Sequence, residues 1–124
     1  MGAALIGSHA RGAARPDSDV DLLVVTTAPR RYLEDHRWMT GFGSPKTIAL
    51  EEWGAVTSLR VRFERGPEVE LGVTTPEWLE IDPVDPGTAR VVRDGFRILL
   101  DRSGLLRELV TALQDPPRGQ QRRP

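Results

Sequence analysis

The residues best suited to chemistry lie in one stretch near the start of the chain, LIGSHARGAARPDSDVDLLVV. It carries Asp19 and Asp21, which are separated by one residue and followed by an apolar run. Because side chains alternate between the two faces of a strand, both carboxylates would point the same way. Such carboxylates repel each other unless a cation lies between them, and Mg²⁺ prefers carboxylate oxygens beside substrate phosphates. The spacing therefore predicts a magnesium site.

A Gly-Ser pair at a fixed distance from these acids makes the pattern more specific. Gly7 and Ser8 end the first apolar segment, and ten residues separate them from Asp19. Together with the Asp-Val-Asp that opens an apolar strand, they resemble the signature of the nucleotidyltransferase superfamily that includes DNA polymerase beta. The stretch most resembles the minimal nucleotidyltransferases and the aminoglycoside adenylyltransferases. The alternative is a chance acidic edge on a solvated surface.

A second stretch, FERGPEVEL at residues 63–71, supplies a candidate third acid. It resembles the family strand Phe-x-Asp-Gly-x-x-Ile-Asp-Leu, whose last acid is the third catalytic carboxylate, and the alignment places that acid at Glu70. Alternation puts Glu68 on the same face, so periodicity alone does not choose between them. We expect Glu68 to be frayed and exposed because it follows Pro67 directly. The alternative is that Glu70 is only a polar residue on an edge strand.

The resemblance implies an enzyme that moves a nucleoside monophosphate to an acceptor hydroxyl and releases pyrophosphate. The donor would be ATP, giving AMP, or another NTP. Asp19 and Asp21 would hold two Mg²⁺ ions about 3.5–4 Å apart. Glu70 would coordinate the metal near the acceptor or take the acceptor's proton as general base. Gly7 would let the backbone approach the triphosphate because it lacks a side chain, and Ser8 would donate its N–H and hydroxyl to phosphate oxygens.

The acceptor and the partners of the chain stay open at this stage. The acceptor is either a small molecule or a protein. A second hypothesis is an antitoxin of the minimal nucleotidyltransferase kind, which binds and perhaps adenylylates a HEPN-type toxin partner. A third is a truncated or inactive fragment, because the family usually carries a helix before the first strand and Met1 here lies four residues before Leu5.

Two residues of the connector between the Gly-Ser pair and the acids have alternative roles. Arg11 reaches a phosphate, because a guanidinium matches phosphate oxygens in a fork, or it pairs with Asp17 or a neighbouring carboxylate. His9 is expected to be a loop residue rather than a catalyst, since no Ser/His/Asp arrangement is suggested by the other histidine, His36.

Composition excludes several other classes of protein. The chain has 124 residues and a net charge of −1, so no basic field marks nucleic acid as a partner. It has no cysteine, which excludes disulfides, thiolate metal sites and cysteine catalysis. It also lacks an apolar run of about 18 residues and a signal-peptide pattern, which predicts a cytoplasmic protein without membrane association.

The pattern of apolar residues predicts an α+β fold (α/β two-layer) that positions these residues. It consists of a mixed sheet of about five strands with helices packed on it. Strands are predicted at residues 3–6, 19–26, 56–63, 69–73 and 96–100, and helices at 29–41, 75–81, 88–94 and 103–113. The strands at 56–63 and 69–73 would pair as an antiparallel hairpin. Residues 44–54 are predicted to be a loop with at most one helical turn. Residues 1–115 would form one nucleotidyltransferase domain, followed by a disordered tail at 116–124.

Overall fold

The computed structural model describes residues 1–15, 18–35, 37 and 43–114, apart from the side chain of residue 53. In this part of the chain, strands and α-helices follow one another in an α+β arrangement. The elements are β1 (Gly2–Ile6), α1 (Ser8–Arg11), β2 (Val20–Val25), α2 (Arg30–Glu34), β3 (Pro45–Trp53), β4 (Val56–Phe63), β5 (Val69–Thr74), a 3-10 helix (Pro76–Leu79), α3 (Pro86–Asp94), β6 (Phe96–Asp101) and α4 (Leu105–Gln114).

The strands form one mixed sheet in the order β3-β4-β5-β2-β1-β6. Strand β2 lies near the centre, antiparallel to β1 and parallel to β5. Strands β4 and β5 form the antiparallel hairpin that the sequence predicts. The prediction of a mixed sheet with helices packed on it is confirmed, although the described residues form six strands rather than about five.

The two faces of the sheet are buried in different ways. One face carries Leu23 and Val25 and packs against the 3-10 helix and α4, and we call it the helical face. The opposite face carries Val24 and the buried apolar side chains of β4 and β5, with α2 packed against it. Since side chains alternate along β2, Asp21 lies on the helical face, at the end of its buried row.

The prediction of a loop at residues 44–54 is wrong. Most of that segment is the nine-residue strand β3, which pairs antiparallel with β4 along nearly its whole length. As an edge strand it is largely exposed on both faces. Its apolar pattern is therefore short and consists mainly of Ile48 and Leu50, two residues apart. Because β3 is stabilised mainly by hydrogen bonds to β4, its own sequence shows little of the apolar–polar alternation that predicts a strand.

Two further segments differ from the prediction. The connector after Gly7 begins with the short helix α1 rather than an irregular loop. Helix α2 ends at Glu34, where Asp35 is extended, instead of running to residue 41. Residues 36 and 38–42 lie outside the described residues, as does the segment 115–124, for which a tail stays a prediction. No helix in the described ranges is both long and apolar enough to cross a membrane.

Candidate active site

The pairing of β2 with β5 brings two acids of distant segments together. The two strands run parallel, and Asp21 is the partner of Glu70 in their register. Partners in neighbouring strands direct their side chains to the same face of the sheet. Asp21 and Glu70 therefore lie side by side on the helical face.

The electrostatics of Asp21 show how much negative charge collects here. Its pKa is raised above the ordinary value, first by burial and then by the charges of Glu70 and Asp19. Arg60 and His9 offset part of this rise in the pKa of Asp21. A half-buried carboxylate between two others favours its neutral form unless a cation is added.

Asp19 stands at the exposed end of this group. It directly precedes β2, whose first residue, Val20, donates its N–H to the Glu68 carbonyl oxygen at 2.9 Å. The charge of Asp19 contributes to the raised pKa of Asp21. The structure thus brings both aspartates of the Asp-Val-Asp motif to one site.

Sequence reasoning missed Arg60, which is the counter-ion of this site. It lies on β4 in register with Glu70, and its Nη2 is 3.2 Å from Glu70 Oε1. Its Nη1 is 3.6 Å from Glu68 Oε2, and its Nε is 3.4 Å from Glu51 Oε1. The Nε contact is close enough for an ion pair but makes no hydrogen bond within the described part of the chain. The predicted hairpin could have revealed this residue, because its register sets Arg60 opposite Glu70.

The expectation that Glu68 is frayed and exposed is wrong. Its side chain is 19% exposed against 27% for Glu70, because Arg60 and Arg62 both approach it. Its carbonyl also continues the ladder into β2. Exposure therefore does not separate the two glutamates. What distinguishes Glu70 is its register with Asp21.

The three predicted metal ligands share a site without forming a closed cage. Among the described residues, no three acidic or histidine side chains converge closely enough to hold a metal ion. Glu70 instead points its Oε1 at Arg60. The donor set still suits Mg²⁺, since carboxylate oxygens are its usual protein ligands. A cation here would also relieve the repulsion that raises the pKa of Asp21.

Gly7 places the Gly-Ser turn in direct contact with the Asp21 side chain. It has φ 74 and ψ −148, a conformation that is essentially restricted to glycine. A Cβ at this position would lie 2.9 Å from Asp21 Oδ2. Ser8 follows as the first residue of α1, where a helix leaves its N–H groups without intrahelical acceptors. The predicted phosphate-binding pair thus borders Asp21.

The connector residues take structural positions. Arg11 Nη1 donates to the Asp94 carbonyl oxygen at 2.6 Å, which ties α1 to the end of α3. This contact is neither a phosphate site nor a carboxylate pair, and Asp17 lies outside the described residues. His9 belongs to helix α1 rather than to a loop, so that expectation is wrong, and its Nε2 is 3.3 Å from the Ser18 carbonyl oxygen.

A cleft of about 700 Å³ opens on the helical face beside the acids. Its floor includes Asp21 and Glu70, and its walls come from the β3–β4 turn, the 3-10 helix and α3. Of the described residues that line it, four are acidic and none is Lys, Arg or His, the acids being Asp21, Glu70, Glu77 and Asp85. An anionic ligand therefore needs an added cation to bind in this cleft.

Comparison with known protein families identifies the family of this chain. Residues 2–64 match the profile of a family described as a nucleotidyltransferase domain. The match includes the Gly-Ser pair and both aspartates, and it ends before Glu70. No curated protein matches the chain. Because the match spans more than half of the 124 residues, the chain belongs to the nucleotidyltransferase superfamily.

Proposed function

We propose that this domain transfers a nucleoside monophosphate, AMP from ATP in the first instance, to an acceptor hydroxyl in a Mg²⁺-dependent reaction that releases pyrophosphate. Family membership supports nucleotidyl transfer in general. The observation that carries the proposed site is the β2–β5 register, which sets Asp21 beside Glu70 in the floor of the cleft.

Each residue has a distinct task in this proposal. Asp19 and Asp21 would hold the metal, and Glu70 would join them or act as general base. Bound Mg²⁺ would supply charge neutralisation at the phosphates, as in other metal-assisted phosphoryl transfers. The N–H and hydroxyl of Ser8 would orient phosphate oxygens, and Gly7 leaves room for the Asp21 carboxylate.

The bond changes place one demand on Glu70. The acceptor oxygen forms a bond to the α-phosphorus, the bond from that phosphorus to the pyrophosphate oxygen breaks, and the acceptor proton leaves. Glu70 can receive that proton only as a carboxylate, and in the structure its Oε1 lies 3.2 Å from Arg60 Nη2. The same contact must loosen for Glu70 to reach an acceptor in the cleft.

The direct test incubates the protein with each α-labelled NTP, Mg²⁺ and a cell extract, and follows the label. We expect label on one acceptor, and a labelled small helical protein would favour the antitoxin hypothesis, in which the acceptor is the toxin partner. The Asp19→Asn, Asp21→Asn double variant should lose both the transfer and the metal-dependent part of nucleotide binding by calorimetry. Unchanged Mg²⁺-ATP affinity in that variant would show that the site is misplaced.

The position of Gly7 allows a separate prediction. Gly7→Ala forces a side chain into a glycine-only conformation, which costs about 1–3 kcal/mol of unfolding free energy. It also displaces the Asp21 carboxylate, so Mg²⁺-dependent nucleotide binding should weaken in the fraction that stays folded.

Gly12→Ala is the matched control for that variant. Gly12 also has a positive φ, 72, but an added Cβ there meets nothing within 4 Å. We expect a comparable loss in a denaturant titration, about 1–2 kcal/mol, with nucleotide affinity unchanged. Equal losses of affinity in both variants would mean that Gly7 acts only through stability.

A further inference from the structure

Strand β3 ends the sheet with an edge that has no strand partner in the described ranges. Two large apolar side chains are exposed on it, Ile48 at 40% and Leu50 at 56%. Their partners on β4 are Val61 and Leu59, both buried in the core on the face opposite the helical face. Each exposed side chain therefore extends a row of buried apolar side chains to the edge of the sheet. An open sheet edge is a template for pairing with another strand.

The sequence of this edge is complementary to itself. A two-fold axis at Ala49 would pair two copies of β3 antiparallel, with Ile48 of each copy opposite Leu50 of the other. The same register sets Lys46 opposite Glu52 at both ends. Lys46 lies at the bulge where the β3–β4 register shifts, so this charge pair would rely on the length of the lysine side chain.

We propose that β3 is the interface of a two-fold dimer, in which antiparallel pairing about Ala49 joins two copies of the sheet edge to edge. The partner is a second copy of this chain because apolar residues then meet apolar residues and both terminal charge pairs are attractive. Parallel in-register stacking would instead set Lys46 against Lys46 and Glu52 against Glu52. The two-fold arrangement also closes on itself at this edge.

The expected strength follows from the size of the contact. Pairing of one strand edge buries less than the roughly 1,200 Å² that marks the low end of stable specific interfaces. The dimer should therefore be reversible and depend on protein concentration. It is independent of the proposed reaction, since the contact needs none of Asp19, Asp21 and Glu70.

Disulfide trapping in the full chain tests the register directly, because the protein has no cysteine of its own. Residues opposite each other in an antiparallel pair have Cα atoms about 4.5–5.5 Å apart, within the range that a disulfide spans. A49C should thus form a covalent dimer on mild oxidation. T47C is the control, since its two copies would lie about 13 Å apart along the edge. Equal cross-linking of A49C and T47C would overturn the proposal.

Sedimentation velocity over a range of concentrations tests the interface without cross-linking. L50K should raise the dissociation constant at least about tenfold, which corresponds to 1.4 kcal/mol. L99K on the opposite edge strand β6 is the matched control, because Leu99 is also 56% exposed. Circular dichroism checks that both variants fold.

Reversal of the terminal charges adds a second criterion. E52K alone should weaken the dimer, and K46E with E52K should restore it, because the pairs become attractive again. A wild-type chain that is monomeric at every concentration contradicts the proposal. So does a dimer that L99K disrupts as strongly as L50K does.

Discussion

Glu70→Gln should lower the rate of nucleotidyl transfer by about 10²–10⁴-fold, the usual contribution of general acid–base catalysis. The substitution keeps the size of the side chain but removes both the negative charge and the base. Nucleotide binding should persist, because Gly7, Ser8 and the two aspartates are unchanged. Single-turnover kinetics and calorimetry on the same preparation separate the two effects.

Glu68→Gln is an informative control because both glutamates contact Arg60. Either variant removes one charge next to that guanidinium, and the two side chains are similarly buried. Only Glu70 is in register with Asp21. Glu68→Gln should therefore transfer at close to the wild-type rate. If Glu68→Gln lost as much activity as Glu70→Gln, the loss would result from disruption of the ion pairs with Arg60 and not from removal of a catalytic base.

Asp21→Asn should combine a severe loss of activity with a gain in stability. Transfer should fall by several orders of magnitude, because the variant loses the carboxylate that borders Gly7 and is in register with Glu70. In metal-free buffer at neutral pH, however, the variant should have a higher free energy of unfolding than the wild type. It removes a charge that burial and two neighbouring carboxylates disfavour.

The pH dependence of that gain has a definite sign. The pKa of Asp21 in the folded state is raised above its ordinary 3.8, so the unfolded chain loses this proton first as pH rises. The contribution of Asp21 to wild-type stability therefore falls from pH 3.8 up to the folded-state pKa, and this penalty then stays constant to neutral pH. The gap between Asp21→Asn and wild type should widen over that window.

Urea titrations in EDTA at several pH values measure this gap. Asp82→Asn serves as the control because Asp82 is exposed and lies outside the cleft. It should follow the wild-type curve throughout. A neutral-pH stability of Asp21→Asn below that of the wild type would contradict the electrostatic account of the site.

The sequence predicted those elements whose signal is local. Strands β4 and β5 alternate apolar and polar residues around a turn that contains Gly66 and Pro67, so the hairpin and the same-face positions of Glu68 and Glu70 followed from it. Strand β3 could not be found in the same way. It is exposed on both faces and depends on the ladder from β4.

The environment of the site was harder to predict than its position. Arg60 becomes a counter-ion only through contacts with three glutamates, one on β3, one on β5 and one directly before β5, which no single-strand pattern encodes. Its charge also keeps Glu68 partly buried, against the expectation from the neighbouring turn. The register between strands decides both the role of Arg60 and the burial of Glu68, and the pattern of any single strand does not reveal that register.

The parallel pairing of β2 with β5 has a consequence for how the protein folds. Hairpins β3–β4 and β4–β5 join neighbouring segments and close short loops, whereas the whole of β3 and β4 separates β2 from β5 in the sequence. Contacts between distant segments form slowly, because chain entropy is lost before they are made. We therefore expect Asp21 and Glu70 to come together in one of the later steps of folding, and a partly folded chain without the β2–β5 pairing would lack this pair of acids.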